Sequence, residues 1–292
     1  MSNDGSPAAS VVIPTRDRPE HLEGCLASLA ALATPCARFE VIVVDDGSCA
    51  PVAPVVERFR DRLDVTYLRN PASRGPAAAR NAGAARARGA VLVFTDDDCT
   101  VAPGWLEGLL RAAEGPGTLV GGRIENALPE RPFSTASQLL IAYLYDSQGT
   151  VDAFFCTNNF ALRTAEFRSL GGFDETFPHA AGEDRELCDR FVRQGGRLVF
   201  APDAVVHHAH RLGPLGFSRQ HFRYGRAARH FRRVRARRGA PPVPLRPLSF
   251  YVGMLRYPFG RERGPWLQAA LLGFSQLANA AGFAAEALRA RR

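Results

Sequence analysis

The sequence predicts an α/β fold: a Rossmann-like, mostly parallel sheet flanked by helices, followed by a basic helical extension. Three observations predict it. Apolar runs SVVIP (10–14), EVIVV (40–44) and AVLVF (90–94) alternate with helical stretches, as in parallel sheets covered on both faces. Each run ends in polar residues, Pro14-Thr15-Arg16, Asp45-Asp46 and Asp96-Asp97-Asp98, and open sheets of this kind bind ligands at the carboxyl ends of their strands. Beyond residue 210 the charge changes sign: residues 1–210 hold 20 Arg against 27 acids, and residues 211–292 hold 17 Arg against Glu262 and Glu286.

Taken in order, 10–14 reads as a buried strand stopped by proline. Residues 18–31 read as a helix with Leu22, Cys25, Leu26 and Leu29 on one face and Pro19 in its first turn. A strand at 40–48, a helix at 53–62 and a strand at 65–69 follow. The alanine-rich 76–88 predicts a helix capped by Gly89, and 90–98 a third apolar strand. Further on, 119–124 reads as a strand, 134–146 as a helix, 154–163 as a strand, 171–175 as a turn and 183–194 as a helix ended by Gly195-Gly196. Residues 197–210 read as two short strands. Phe217, Tyr224 and Phe231 recur every seven residues on a helix rich in arginine. A proline-rich break (241–247) separates it from 264–285, which contains no charge and, being rich in Ala, Gly, Ser and Gln, predicts an interfacial or protein-packed helix rather than a membrane span. The expected organisation is a tail at 1–9, a catalytic domain at 10–210 and a helical, membrane-associated extension at 211–292.

At 292 residues, 46% hydrophobic and 23% charged, the chain can bury a core, which excludes wholesale disorder and a polytopic membrane protein. All 37 basic residues among Lys and Arg are arginine. The six cysteines (Cys25, Cys36, Cys49, Cys99, Cys156, Cys188) form no Cys-x-x-Cys pair, so neither a zinc cage nor a disulfide framework is expected. The polar N-terminal stretch does not read as a signal peptide, and a cytoplasmic location, peripheral on the inner face of the plasma membrane, is the expectation.

Three adjacent carboxylates at the end of a buried strand repel one another. They make sense when a divalent cation neutralises them, and oxygen ligands suit Mg²⁺ or Mn²⁺; alone, the triplet equally fits a solvated acidic turn. His207, His208 and His210 follow an apolar strand, and strand alternation puts His208 and His210 on one face.

The ordered set SVVIPTRDR (10–18), EVIVVDDGS (40–48), RGPAAARNAGAARARGAVLVFTDDD (74–98), TNNFALR (157–163), GGFDE (171–175) and GEDRELCDR (182–190) resembles the family 2 glycosyltransferases of the GT-A fold. The resemblance implies inverting, metal-dependent transfer of a sugar from a nucleotide-sugar donor to a hydroxyl acceptor, a glycan or a lipid-linked molecule. It implies that Pro14, Thr15, Arg16 and Asp46 hold the nucleotide base and ribose, and that Arg80 faces the nucleotide. Asp96 and Asp98 match the DxD pair, with Asp97 between them grouped with the donor contacts and Asp98 meeting the metal. Asn159 matches a position facing the donor sugar, Asp184 the catalytic base, and His208 a histidine that completes the metal site in some members. On residue type alone, Asp184 also fits a first-turn carboxylate held by the helix dipole. The helix lacks the Gln-x-x-Arg-Trp signature of processive synthases, which favours one sugar per encounter.

Two rival readings are a nucleotidyltransferase-like phosphate-handling enzyme and a non-catalytic sugar-binding scaffold on the same fold. Pro14–Pro19 contains no glycine, unlike a glycine-rich phosphate loop, and the intact Asp96, Asp98 and Asp184 argue for catalysis. The arginine-rich extension fits an anionic membrane surface, or simply a solvated helix face; without a zinc finger, helix-turn-helix or aromatic RNA-binding signature, nucleic acid is not an expected partner.

Overall fold

The computed structural model describes residues 6–32, 38–147, 153–177 and 181–289. Most of the expected N-terminal tail, and Cys36, lie outside them. The chain divides into two units, one of Met1–Glu125 and Phe154–His208, the other of Asn126–Ala153 and Ala209–Arg292.

In chain order the elements are β1 (Ala9–Thr15), α1 (Pro19–Ala31), β2 (Phe39–Asp45), α2 (Ala53–Glu57), β3 (Val65–Arg69), α3 (Pro76–Arg86), β4 (Val91–Phe94), β5 (Cys99–Val101), α4 (Trp105–Ala112) and β6 (Thr118–Asn126). They continue with α5 (Pro132–Asp146), a 3₁₀ turn at Thr157–Asn159, β7 (Phe160–Arg163), α6 (Thr164–Ser169), α7 (Glu183–Arg193), β8 (Arg197–His208), α8 (Pro214–Arg237), α9 (Leu248–Arg256) and α10 (Pro265–Arg289).

The first unit is built on an eight-stranded sheet of order β3-β2-β1-β4-β7-β6-β8-β5. The pairs β1–β2, β1–β4 and β2–β3 are parallel, whereas β4–β7, β6–β7 and β5–β8 are antiparallel. The middle of the parallel half, Val11–Ile13, Val41–Val44 and Val91–Phe94, is apolar because helices cover both faces. Leu22, Cys25, Leu26 and Leu29 of α1 join one core with Val11, Ile13, Val41, Val43 and Val93. At Gly83 of α3 no side chain fits: a Cβ there would lie 2.5 Å from Val12 Cγ1, so the helix rides close on the sheet. Parallel register places Thr15 opposite Asp45, which aligns the polar strand ends.

Several expectations change. The helix expected over 53–62 stops at Glu57, after which Arg58, Phe59 and Arg60 donate to carbonyls three residues back, the tighter spacing of a 3₁₀ turn. Gly89 does not cap α3. Ala87 leaves the helix in an extended conformation, and Gly89 instead lets the chain pass the backbone of Ala9–Ser10, where a Cβ would sit 2.5 Å from Ala9 C. The strand expected over 154–163 is confined to β7. Residues 197–208 form one strand through Pro202, whose carbonyl still accepts from Arg123 Nε at 3.1 Å. Elements β5, α4, α6 and α9 were not expected.

The second unit is helical. Phe217 of α8 packs with Ala136 of α5, Leu212, Phe133 and Leu271, and Met254 of α9 with Leu140 and Leu272. Helices α8 and α10 run parallel and meet through glycine. A Cβ on Gly225 would lie 1.8 Å from Asn279 O, and one on Gly282 1.9 Å from Phe222 O. Phe217 and Phe231 are buried and Tyr224 is partly exposed, so the heptad aromatics serve this unit's interior.

Candidate active site

The strand ends of the first unit gather two linked groups of side chains. The first surrounds the acidic triplet. Thr15 Oγ1 donates to Asp97 Oδ2 at 2.7 Å, and Arg18 Nη1 lies 3.2 Å from both Asp97 Oδ1 and Asp98 Oδ2. Antiparallel pairing of β5 with β8 sets Cys99 opposite His208, which brings His208 Nε2 to 3.3 Å from Asp98 Oδ1. Burial opposes the His208 imidazolium, but the bond to Asp98 together with the charges of Asp98 and Asp96 raises its pKa above the ordinary histidine value. Burial, together with the charge of Asp98, pushes Asp97 up to about 7 despite Arg18 and Thr15.

Ligand atoms of Asp98, Cys99 and His208 lie within 4.8 Å of one another. The donor set fits a cation such as Mn²⁺ or Mg²⁺ through the carboxylate and imidazole. Burial pushes the Cys99 thiol well up, so it stays protonated and is a poor ligand for a hard ion. Three carboxylates, Asp96, Asp97 and Asp98, crowd the end of this strand, an arrangement a divalent cation would neutralise.

The second group is centred on Arg80, which α3 carries into the interior with only 3% of its side chain exposed. Its Nη2 donates to Asp96 Oδ1 at 2.7 Å and its Nη1 to Glu183 Oε1 at 3.0 Å. Phe173, part of an aromatic cluster with Phe94, Phe160 and Phe167, lies 5.9 Å beneath the guanidinium. Glu183 and Asp184 open α7. Asp184 Oδ1 accepts from the Arg185 N–H at 2.7 Å, and desolvation raises its pKa against that bond and the charge of Arg80. Burial and the neighbouring Asp184 likewise push Glu183 up.

Three residues expected at the donor have protein partners. Arg80 bonds Asp96 and Glu183 inside the protein. Asp46 is engaged by the loop after β3, accepting from Asn70 Nδ2 (2.7 Å), Ser73 Oγ (2.8 Å) and the N–H groups of Arg74 and Gly75. Burial opposes its ionisation, but these bonds win and hold its carboxyl below the usual range. Asn159 is fully buried: its Nδ2 donates to the carbonyls of Arg123 and Ala204, both at 2.8 Å, and its Oδ1 accepts from Trp105 Nε1 at 2.9 Å. Gly122 makes room for it, since a Cβ there would lie 2.3 Å from Asn159 Nδ2. Asn159 therefore ties β6, β8 and α4 together.

Pro14 belongs to β1, opposite Val44, and Arg16 opens the loop that follows, half exposed beside Asp17. Asp17 adopts φ +54°, and its N–H and carboxylate bond Ser48 and Cys49; a non-glycine residue held there marks a loop fixed against local strain. Strand β8 ends at His208, so the alternation argument does not reach His210, whose carbonyl accepts from Ser134 Oγ in the second unit. His207 turns to Glu125, 3.5 Å away. Two residues of the site escaped the sequence reading. Arg18 was visible only as a helix start. Asn158 is buried with no partner for Oδ1 among the described residues, next to Thr95, which bonds its carbonyl at 3.0 Å.

A family model described as glycosyl transferase family 2 matches residues 10–170, and one described as glycosyl transferase family group 2 matches residues 129–284. The chain is 36% identical over 211 residues to a pre-mycofactocin glycosyltransferase of Mycobacterium tuberculosis, covering 69% of this chain and 43% of that protein. It is 29% identical over 231 residues to glycosyltransferase AglE of Haloferax volcanii, covering 75% of this chain and 72% of the relative. The chain thus spans less than half the length of its mycobacterial relative. Among solved structures it is similar to the mannosyltransferase PcManGT from Pyrobaculum calidifontis in complex with GDP-Man and Mn²⁺, with TM-score 0.64 and 23% identity over 98% of this chain and 81% of that one. It is also similar to S. aureus TarS 1-349 in complex with UDP-GlcNAc, with TM-score 0.58 and 16% identity over 97% of this chain and 91% of that one. These two likenesses give the fold, GT-A, and with the family model spanning the strands that carry the acidic triplet, the chain belongs to glycosyl transferase family 2.

Proposed function

We propose that this chain is an inverting, metal-dependent glycosyltransferase that moves a sugar from a nucleotide-sugar donor to a hydroxyl of a glycan or lipid-linked acceptor. One observation carries the reading: Arg80 connects the acidic triplet, through Asp96, to Glu183 beside Asp184, so a cation-binding carboxylate group and a candidate base belong to one buried network. The glycosyltransferase relatives, and the Mn²⁺ and nucleotide-sugar complexes of the structural neighbours, support it.

Asp98 and His208 would hold the cation, with Asp96 alongside. Bound there, a divalent cation supplies charge neutralisation for the diphosphate leaving group. Asp184 takes the acceptor's hydroxyl proton on its carboxylate as the acceptor oxygen attacks the anomeric carbon and the bond to the diphosphate breaks. A single displacement inverts that carbon. Arg80 holds Asp96 by a hydrogen bond at 2.7 Å and, through Glu183, fixes the first turn of α7 that presents Asp184. Thr15 and Arg18 orient the triplet, and Asn158 Oδ1 offers an acceptor for a sugar hydroxyl.

A panel of nucleotide sugars tests this with thermal shift and donor hydrolysis as readouts, each with Mn²⁺ and with chelator. The expected result is stabilisation by one donor class only when metal is present, with hydrolysis lost in Asp98→Ala. Donor turnover undiminished in chelator overturns the metal dependence, and a product with retained anomeric configuration overturns the single displacement.

A further inference from the structure

We propose that the outward faces of α9 and α10 form a docking surface for anionic lipid. The proposal stands apart from the sugar-transfer reading, because it rests on the second unit alone.

Helix α9 is apolar on both sides. Met254 is buried against Leu140 and Leu272, and Phe250 lies on the Tyr143 ring at 5.1 Å. Leu248 (77% exposed), Tyr251, Val252, Leu255 and, just beyond the helix, Phe259 face outward. Their spacing of three, four, seven and eleven residues makes one stripe. A helix apolar all round is normally covered. Helix α10 is inverted relative to a water-facing helix: Gln268, Ser275 and Gly282 are among its buried positions, while Trp266 (78% exposed), Phe274, Leu277 and Leu288 point outward. Ala270, Ala281 and Ala284 complete that outward stripe. The two stripes join where Phe259 and Trp266 meet edge to face at 4.8 Å.

Charge identifies the occupant. Arg256, Arg261 and Arg263 are exposed around this junction, with Glu262 the single acid of the 211–263 stretch. A second copy docked face to face would bring the same arginines against one another, whereas anionic headgroups complement them. The aromatic residues cluster beside these arginines, the arrangement expected at a headgroup boundary. No helix among the described residues is long and apolar enough to cross a membrane, so the helices would lie in the surface plane. The arginines of α8 contribute less than the sequence suggested. Arg226 pairs with Glu286 at 2.9 Å, Arg229 and Arg232 lie over Phe283, and Arg235 is buried over Phe231.

The test uses the full chain and phosphatidylcholine vesicles with and without one third phosphatidylglycerol. The two tryptophans separate cleanly, since Trp105 is fully buried and Trp266 exposed, so a blue shift in emission on vesicle binding reports Trp266. The expected result is co-sedimentation with anionic vesicles only, a blue shift, and release by salt. The double variant Phe259→Ser, Trp266→Ser should weaken binding by roughly a hundredfold, from the apolar area withdrawn. The triple variant Arg256→Gln, Arg261→Gln, Arg263→Gln should weaken it by about ten- to a hundredfold and flatten the salt dependence. Both should melt as the parent does, because the changed side chains are exposed. Asp184→Asn should bind vesicles unchanged, which keeps this test separate from that of sugar transfer. Equal partition onto neutral and anionic vesicles, or unaltered binding by the two variants, overturns the proposal. So does a dimer in light scattering that the aromatic variant dissolves while the parent ignores vesicles; that outcome assigns the face to a second copy.

Discussion

Glu183 Oε1 accepts a hydrogen bond from Arg80 Nη1 at 3.0 Å, and each side chain is 3% exposed. The second guanidinium nitrogen holds Asp96 at 2.7 Å. One buried cation therefore serves two carboxylates 87 positions apart in sequence, and breaking such a pair leaves an uncompensated buried charge.

Arg80→Ala should therefore cost about 3–5 kcal/mol of folding free energy. Urea unfolding measures it. Glu183→Gln in the Arg80→Ala background should recover part of the loss, because the stranded charge is gone. A single-variant loss no larger than that of an exposed arginine would show that the network carries no structural weight.

The pH dependence of stability follows from Asp97, whose pKa is raised from an ordinary 3.8 to about 7. The folded state holds this proton more tightly than the unfolded chain, so the stabilisation is complete below about pH 4 and is lost as pH climbs through about 7. Without metal, the contribution of this site to unfolding free energy should fall over that window and level off above it. Asp97→Asn should remove most of the slope, and Mn²⁺ should restore stability on the alkaline side. Denaturant melts at a series of pH values, with and without Mn²⁺, measure both effects.

For Asp184→Asn the expected outcome is near-parent donor and metal affinity with turnover reduced about 10²–10⁴-fold, the usual share of a general base. Because the Asp184 pKa is raised from 3.8, the acid limb of the parent's rate profile should fall above the ordinary aspartate range, and the variant should lose it. Steady-state kinetics across pH, with an acceptor in hand, decide the matter. Unchanged turnover would reassign the base.

The adjacent asparagines should behave oppositely. Asn159→Ala strands the Trp105 indole N–H and two carbonyls, so a loss of about 1–3 kcal/mol in stability is expected. Asn158→Ala removes an oxygen that has no partner among the described residues, so stability should hold while donor affinity falls. Thermal melts paired with donor titration separate the two.

The strands and the polar residues at their ends were legible because both are local patterns: apolar runs, and the acids that interrupt them. A histidine near Asp98 was legible from the order of the motifs, but the choice of His208 over His207 and His210 came from the family resemblance. What the side chains of Arg80, Asp46 and Asn159 touch was not legible. Arg80 finds Glu183 103 residues away and Asn159 finds Trp105 54 residues away, and no local pattern encodes such partners. Helix α9 went unpredicted because it is only nine residues long and directly follows the proline-rich break, so its helical period spans little more than two turns. Pro202 suggested a break in β8 because proline cannot donate to a ladder, yet the strand runs through it.

The interleaving of the two units sets a timetable for synthesis. Strand β4, paired on one side with β1, waits for β7 on the other, β5 waits for β8, and α5, which belongs to the other unit, emerges between them. Until His208 has left the ribosome, Asp98 has no imidazole beside it, and until Glu183 has done so, Arg80 has only Asp96. A nascent chain halted after β6 would carry the whole acidic triplet with its closing strands missing. Such long-range closure folds slowly, so this site is complete only once β8 has been made and has paired with β5.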